Sequence, residues 1–318
     1  MGFRVLGTGS ALPARAVTND DLSEFLDTSD EWISQRTGIS ERRLCTTETL
    51  DELAVAACRA ALEAAGVTPD QLDLIVCSTT SGDHLMPAEA CAIAELLGTS
   101  CPAFDVSAAC AGFVFALDVA DGYFARGRVE RVLVVSAEKV SRLVDWSDRA
   151  ACVLFGDGAA AAVLGADGEN PLAVRLSTEP SVEVLHVSGI PGTSPYDKTE
   201  RPEPHLAMEG RRVFKFGVNA IVTSVTELCD EAGVSVGDID HFVFHQANER
   251  ILSSAVSRLG IDDAKVARAL AETGNISSAC IPLALDRLAR SGALERGQLV
   301  ALVGFGAGLD TGACLLRW

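Results

Sequence analysis

Short β-branched and apolar runs alternate along this chain with longer stretches rich in Ala and Leu. The runs predict strands at Phe3–Gly7, Leu72–Ser78, Val132–Ser136, Ala160–Leu164, His241–Phe244 and Leu299–Val303. The longer stretches predict helices at Asp30–Gly38, Leu50–Ala65, Ala88–Leu97, Gly112–Arg126, Val213–Ala232, Arg250–Leu259 and Pro282–Ser291. Strands that are apolar without alternation are buried on both faces, and their alternation with helices is the pattern of an α/β protein.

The pattern also repeats. Leu72–Cys77 resembles Ile239–Phe244, and Ala116-Leu117-Asp118 recurs as Ala284-Leu285-Asp286, both about 167 residues further on. Leu133-Val134-Val135 is answered by Val300-Ala301-Leu302, and Phe155-Gly156-Asp157-Gly158 by Phe305-Gly306-Ala307-Gly308. Each match alone is at the level of chance. Four in the same order indicate an internal duplication. Turn chemistry at Ala166–Pro171 marks the seam, which divides the chain into halves 1–168 and 169–318. Ligands of open α/β sheets gather at the carboxyl ends of the strands, so two such halves direct their loops into a shared cleft.

Composition narrows the classes. The chain has 318 residues, 48% of them apolar, with a mean hydropathy of +0.24. Its formal charge of −18 and pI near 4.6 argue against nucleic-acid binding, which needs a basic surface. The ten cysteines are scattered and form no Cys-x-x-Cys pair, which argues against a disulfide framework and against zinc. Most read as small core residues of a reducing cytoplasm. No apolar run approaches the ~20 residues of a membrane helix, and the apolar start is soon broken by Gly7. The expectation is a soluble cytoplasmic protein that binds neither metal nor membrane.

Three short stretches carry chemistry. Cys110, in Ala108-Ala109-Cys110-Ala111-Gly112, precedes an apolar helix. A helix start favours thiolate, and small neighbours admit a substrate carbonyl. His245, in His245-Gln246-Ala247-Asn248, ends an apolar strand; a histidine there is more often a satisfied core residue than a catalyst. Asn275, in Gly274-Asn275-Ile276-Ser277, reads equally as a turn residue or as an oxyanion donor. Under the duplication, Cys110 and the Ser277–Ser278 region occupy equivalent places, and all three residues face one cleft. Together they suit a nucleophile with two hydrogen-bond donors.

These motifs, in this order and spacing, resemble β-ketoacyl-acyl-carrier-protein synthase III, the thiolase-fold condensing enzyme that starts bacterial fatty-acid synthesis. The likeness covers essentially the whole chain, including Asp30-Glu31-Trp32-Ile33, Arg36-Thr37-Gly38-Ile39, Cys101–Asp105 and Phe155–Ala159. It implies two duplicated βαβαβ-type halves stacked as αβαβα layers. It also implies a ping-pong acyltransferase that needs no cofactor, with acyl-CoA as substrate and malonyl-acyl carrier protein as second partner. Cys110 would carry the acyl group, and His245 and Asn275 would donate to the malonyl thioester oxygen. The backbone of Cys110 with Gly306 or Ala307 would form a second oxyanion hole. Ala307 replaces a family glycine and restricts the backbone there. The resemblance places CoA against Thr28, Trp32, Arg36, Arg149 and Asn248. It places carrier docking on Lys215, Arg250 and Arg258, and makes Met86 a gate of the acyl pocket in a homodimer.

Two features are set aside. Gly304–Gly308 is glycine-rich but precedes no helix, which argues against a dinucleotide site, and Cys314 sits in an apolar final strand as a core residue. Met86 and Asp310-Thr311 depart from the family pattern. They leave open a specialised relative, such as a polyketide-priming or other acyl-metabolic condensing enzyme. A non-catalytic acyl-binding homologue is the alternative of another class, and the retained Cys, His and Asn argue against it.

Overall fold

The computed structural model describes residues 2–188, 194–196 and 205–318. The chain runs β1 (Gly2–Ala11), β2 (Ala16–Thr18), α1 (Asn19–Ser23), α2 (Asp30–Thr37), β3 (Glu41–Arg43), α3 (Leu50–Ala65), β4 (Leu74–Ser78), α4 (Glu89–Leu97) and β5 (Ala103–Val106). It continues through α5 (Gly112–Ala125), β6 (Arg131–Lys139), β7 (Asp157–Gly168), β8 (Ala173–Ser181), β9 (Leu185–Val187), β10 (Leu206–Met208) and α6 (Gly210–Ala232). It ends with β11 (His241–Phe244), α7 (Glu249–Leu259), α8 (Leu270–Thr273), α9 (Cys280–Arg290), β12 (Leu299–Gly306) and β13 (Gly308–Arg317).

Two sheets form the frame. One has the order β1-β7-β6-β4-β5, and the other β11-β12-β13-β8. Read from β1 and from β8, the sequences of strands correspond. A parallel bridge between Phe242 and Val266 stands in the second sheet where β5 stands in the first. Helices α5 and α9 lie between the sheets. Phe113 and Leu117 of α5 and Ile281 and Leu285 of α9 pack there with Val76 and Val134 from one sheet and Val243 and Leu302 from the other. The outer face of the first sheet is covered by α3 and α4, and that of the second by α6 and α7. The result is an αβαβα sandwich, as the apolar two-faced strands predict.

Local signals set the helix ends. Thr49 and Glu52 form a reciprocal capping box at the start of α3, and Gly66 stops it in a left-handed conformation. The predicted helices agree with the observed ones to within a few residues; β11 matches, β4 begins two residues later than expected, and the other four expected strands are longer than their apolar runs. β6 runs on to Glu138 and Lys139, and β7 begins at Asp157. Charged residues closed those windows in the sequence, although Glu138 is fully buried. The strand β8 was missed because its face is largely solvated and it carries no apolar run. The short pairs β2–β3 and β9–β10 left no periodic signal.

Candidate active site

Cys110 lies in a 3-10 turn, Ala109–Ala111, that leads into α5. The equivalent turn before α9 is Ser277–Ala279. Each turn is opened by a non-glycine residue in the left-handed region, Ala109 at φ 43° and Ser277 at φ 46°. This geometry turns the chain sharply off a strand end and presents the next side chain. Cys110 is 9% exposed, and its thiol donates to Ser277 Oγ at 3.5 Å.

Burial is the main influence on that thiol and pushes it up to about 12; the Ser277 hydroxyl and the local backbone pull it down, and the Glu138 carboxyl pushes it further up. The expectation of a thiolate favoured by the helix start is therefore corrected. Burial disfavours the charged form of this thiol.

His245 follows β11, with its N–H on Val303 O at 2.8 Å. The buried Gln246 fixes the turn beyond it: Nε2 donates to Phe244 O at 2.8 Å, and Oε1 accepts from Ala269 N at 3.0 Å. The His245 ring packs edge-on to Phe305, with centroids 5.2 Å apart. Nδ1 is buried without a hydrogen-bond partner, and burial lowers the pKa from 6.5 to about 3. The ring is neutral through the physiological range.

Asn275 is strapped to the first half by backbone hydrogen bonds, Asn275 N to Leu154 O at 2.8 Å and Gly156 N to Asn275 O at 3.0 Å. Gly274 before it has φ +66°, and a Cβ there would press on Leu154 O at 3.0 Å. The Asn275 amide has a determined sense. Oδ1 accepts from Ser277 N at 2.9 Å and from the Cys280 thiol at 3.7 Å, which leaves both Nδ2 protons for a ligand.

Cys110, His245 and Asn275 line one cavity of about 770 Å³. Gly306 and Ala307 also line it. A Cβ on Gly306 would stand 2.8 Å from Cys110 N, so the strand end approaches the nucleophile's backbone as only glycine permits. Ala307 is not among the positive-φ residues, so the restriction expected from its side chain is not felt. The cavity wall is apolar around Leu143, Leu185, Leu206, Phe214 and Leu309, and Arg36, Arg211 and Arg250 also contribute.

The remaining candidates divide. Trp32 carries both guanidinium groups expected beside it, Arg36 Cζ at 4.5 Å from the ring centroid and Arg149 Cζ at 5.2 Å. Arg149 is also held by the Asp27 carboxylate at 3.0 Å. The hydroxyl of Thr28 is buried without a partner. Asn248 lines the cavity, but its side chain is already engaged: Oδ1 caps α7 through Arg250 N at 2.9 Å, and Nδ2 donates to Arg36 O at 3.1 Å. Lys215, Arg250 and Arg258 are exposed on the adjacent helices α6 and α7. Met86 does not reach the cavity of its own chain. It is 87% exposed on the loop between β4 and α4, beside the exposed Leu85. Gly304–Gly308 lies in the β12–β13 hairpin, and Cys314 is core. All ten cysteines are free, and Cys91 is exposed. Among the described residues no cluster of His, Cys, Asp and Glu suits a metal, and no helix is long and apolar enough to cross a membrane.

Sequence reasoning missed Ser277, Glu138 and Arg211. Ser277 was visible as the equivalent of Ala109 under the duplication. Glu138 was visible as a carboxylate at the end of an apolar strand. Arg211 gave no signal beyond its charge.

Known proteins resemble this chain in sequence and fold. The family model described as 3-oxoacyl-(acyl-carrier-protein) synthase III matches residues 104–180, and its C-terminal companion matches 229–318. A β-ketoacyl-(acyl-carrier-protein) synthase III of Xanthomonas campestris is 45% identical over 318 residues, 99% of this chain and 98% of the relative. The chain belongs to the synthase III family. It is a condensing acyltransferase of thiolase fold. The crystal structure of the Aquifex aeolicus synthase III superposes with a TM-score of 0.92 at 40% identity, covering 100% of both chains. The priming β-ketosynthase of the R1128 polyketide pathway gives 0.91 at 41% identity, over 99% of this chain and 96% of that one.

Proposed function

We propose that this synthase condenses an acyl-CoA primer with malonyl-acyl carrier protein to give 3-oxoacyl-acyl carrier protein, and so initiates type II fatty-acid synthesis. The observation that carries this reading is the convergence of Cys110, His245 and Asn275, far apart in the chain, on one cavity. No metal or cofactor is needed for the steps.

Cys110 sulfur attacks the acyl-CoA carbonyl. A C–S bond forms to Cys110, the bond to CoA breaks, and the thiol proton leaves with the CoA sulfur. Backbone N–H groups of Cys110 and of the Gly306–Ala307 segment hold the oxyanion. Malonyl-acyl carrier protein then loses CO2, and the electron pair of the broken C–C bond becomes an enolate. His245 Nε2–H and Asn275 Nδ2–H donate to its oxygen. A neutral imidazole suits that task, because it stabilises charge developing in the transition state without being consumed as an acid. The enolate carbon attacks the acyl-Cys carbonyl, and the Cys110 sulfur departs and takes up a proton from solvent.

Trp32, Arg36 and Arg149 make a stacking and phosphate-binding platform for CoA, with Thr28 and Asn248 beside it. Lys215, Arg250 and Arg258 give an acidic carrier a local basic surface against the −18 background. The half-exposed edge strand β5 and the exposed Leu85 and Met86 favour a homodimer with sheets continued across the interface and Met86 delivered to the partner's pocket. A cytoplasmic location accords with the free thiols.

The likeness to a polyketide-priming enzyme favours a second reading, the same chemistry in a specialised pathway. Competition among acetyl-, isobutyryl- and octanoyl-CoA for Cys110 separates them. Preference for a short primer supports initiation of fatty-acid synthesis, and preference for octanoyl supports the specialised role.

A further inference from the structure

The catalytic arrangement has a sealed counterpart in the other half. Among the described residues, Ala109 and Ser277 are the non-glycine residues with positive φ, and each opens the turn before a central helix. Cys110 therefore corresponds to Ser278. Ser78, which closes β4, corresponds to His245, which follows β11. By strand register, with Cys77 paired to Val135 and Phe244 to Val303, Glu138 in β6 stands where Gly306 stands in β12, one residue on from the sequence echo of Leu133–Val135 with Val300–Leu302. The first set opens on the cavity. The second is closed, with Ser78 at 1%, Glu138 at 0% and Ser278 at 0% exposure.

In the closed set Glu138 is the centre. One carboxyl oxygen accepts from Ser278 Oγ at 2.7 Å and from Ser278 N at 3.4 Å. The other accepts from Ser81 Oγ at 2.5 Å, Thr80 N at 3.1 Å and Thr80 Oγ1 at 3.3 Å. All these donors are neutral. A buried carboxyl held in this way is costly unless every lone pair is engaged, and its donors are correspondingly fixed in place. Those donors belong to two walls of the reaction site. Thr80 lines the cavity. Ser278 follows Ser277, whose hydroxyl accepts from Cys110 and whose N–H holds the Asn275 amide oxygen.

We propose that Glu138 is a positioning residue for the decarboxylating half of the reaction: it clamps the 277–279 turn so that the Asn275 amide stays aimed at the malonyl thioester oxygen. This rests on the role given to Asn275 above. The acyl-transfer half depends instead on the backbone of Cys110 and Gly306, to which Glu138 makes no hydrogen bond among the described residues, and is affected less.

The test compares the full-length wild type with Glu138→Ala, Glu138→Gln, Ser278→Ala and Asn275→Ala. Two rates are read, acylation of the protein by acetyl-CoA (intact mass) and CO2 release from malonyl-acyl carrier protein. Misplacement by about 1 Å costs on the order of 100-fold, so Glu138→Ala slows CO2 release by that order while acylation stays within about threefold. Ser278→Ala slows it in the same direction. Glu138→Gln, which keeps one accepting oxygen, recovers part of the rate. Equal losses in both rates, or unchanged CO2 release in Ser278→Ala, overturn the proposal. If Glu138→Ala does not fold, Ser278→Ala decides alone, because it removes one hydroxyl and no charge. Wild-type CO2 release in Asn275→Ala overturns the parent reading and this proposal with it. A slow Asn275→Ala beside a fast Ser278→Ala overturns this proposal only.

Discussion

Asn275 serves an enolate only if its amide is the right way round. The Ser277 N–H and the Cys280 thiol both point at Oδ1, so the two Nδ2 protons remain for the ligand. Loss of one oxyanion donor costs about 100- to 1,000-fold in such sites. Asn275→Ala is therefore expected to slow condensation by that order while still accepting an acyl group on Cys110, which single-turnover assays resolve. Burial raises the Cys110 thiol to about 12. Its alkylation by iodoacetamide is expected to keep rising with pH from about 7 to about 10, where an activated thiolate would level off. His245 has the opposite shift, from 6.5 down to about 3. Between these values the unfolded chain takes up a proton that the folded chain refuses. The contribution of this residue to stability is complete above 6.5 and is lost as pH falls towards 3. Denaturant midpoints of His245→Gln are expected to fall less between about pH 6.5 and 4 than those of the wild type. The three candidate residues, which the structure brings to one cavity, stood out in the sequence because each sits in a run of small or apolar residues at an element boundary. The tuning of Cys110 was not legible there. Whether a helix start or desolvation governs Cys110 depends on how tightly the other half closes over it.

At the scale of elements, Asn248 shows how one side chain is read two ways. The sequence resemblance gives it to CoA, and the structure gives it to the start of α7, where it caps Arg250 N and ties down the Arg36 carbonyl. Replacing such a cap by Ala costs about 1 kcal/mol. Asn248→Ala is expected to lower the melting temperature measurably; an unchanged melting temperature with a raised KM for acyl-CoA would instead give the residue to the ligand. Helices were legible because capping residues and left-handed glycines bracket them, as Thr49 and Gly66 bracket α3. Strands with solvated faces were not, since β8 buries little beyond its first residue. The strands β9 and β10, which supply Leu185 and Leu206 to the cavity, were missed because three residues are too few to show a period.

The whole molecule joins two weak signals into a strong one. Four short sequence echoes indicated a duplication, and the two sheets show the corresponding strand order with α5 and α9 back to back between them. That symmetry explains why residues far apart in the chain meet. It also explains the closed Ser278–Glu138 set as the counterpart of an open one. The surface adds a second whole-molecule effect. With a charge of −18, the protein's overall field repels an acidic carrier, and the docking proposed at Lys215, Arg250 and Arg258 acts locally against it. Charge reversal at Arg250 is expected to raise KM for malonyl-acyl carrier protein about tenfold at low salt, with little change in the rate of acylation by acyl-CoA, and added salt is expected to shrink the difference.

The central claim is that Cys110 carries the acyl group and that the same cavity discharges it onto a malonyl unit. Intact-protein mass spectrometry of the wild type and Cys110→Ala tests it, after mixing with acyl-CoA and then after adding malonyl-acyl carrier protein. The account predicts a single acyl adduct on the wild type, none on Cys110→Ala, and loss of the adduct with formation of 3-oxoacyl-acyl carrier protein in the second step. An adduct that persists on folded Cys110→Ala, or a wild-type adduct that malonyl-acyl carrier protein does not discharge, would contradict it.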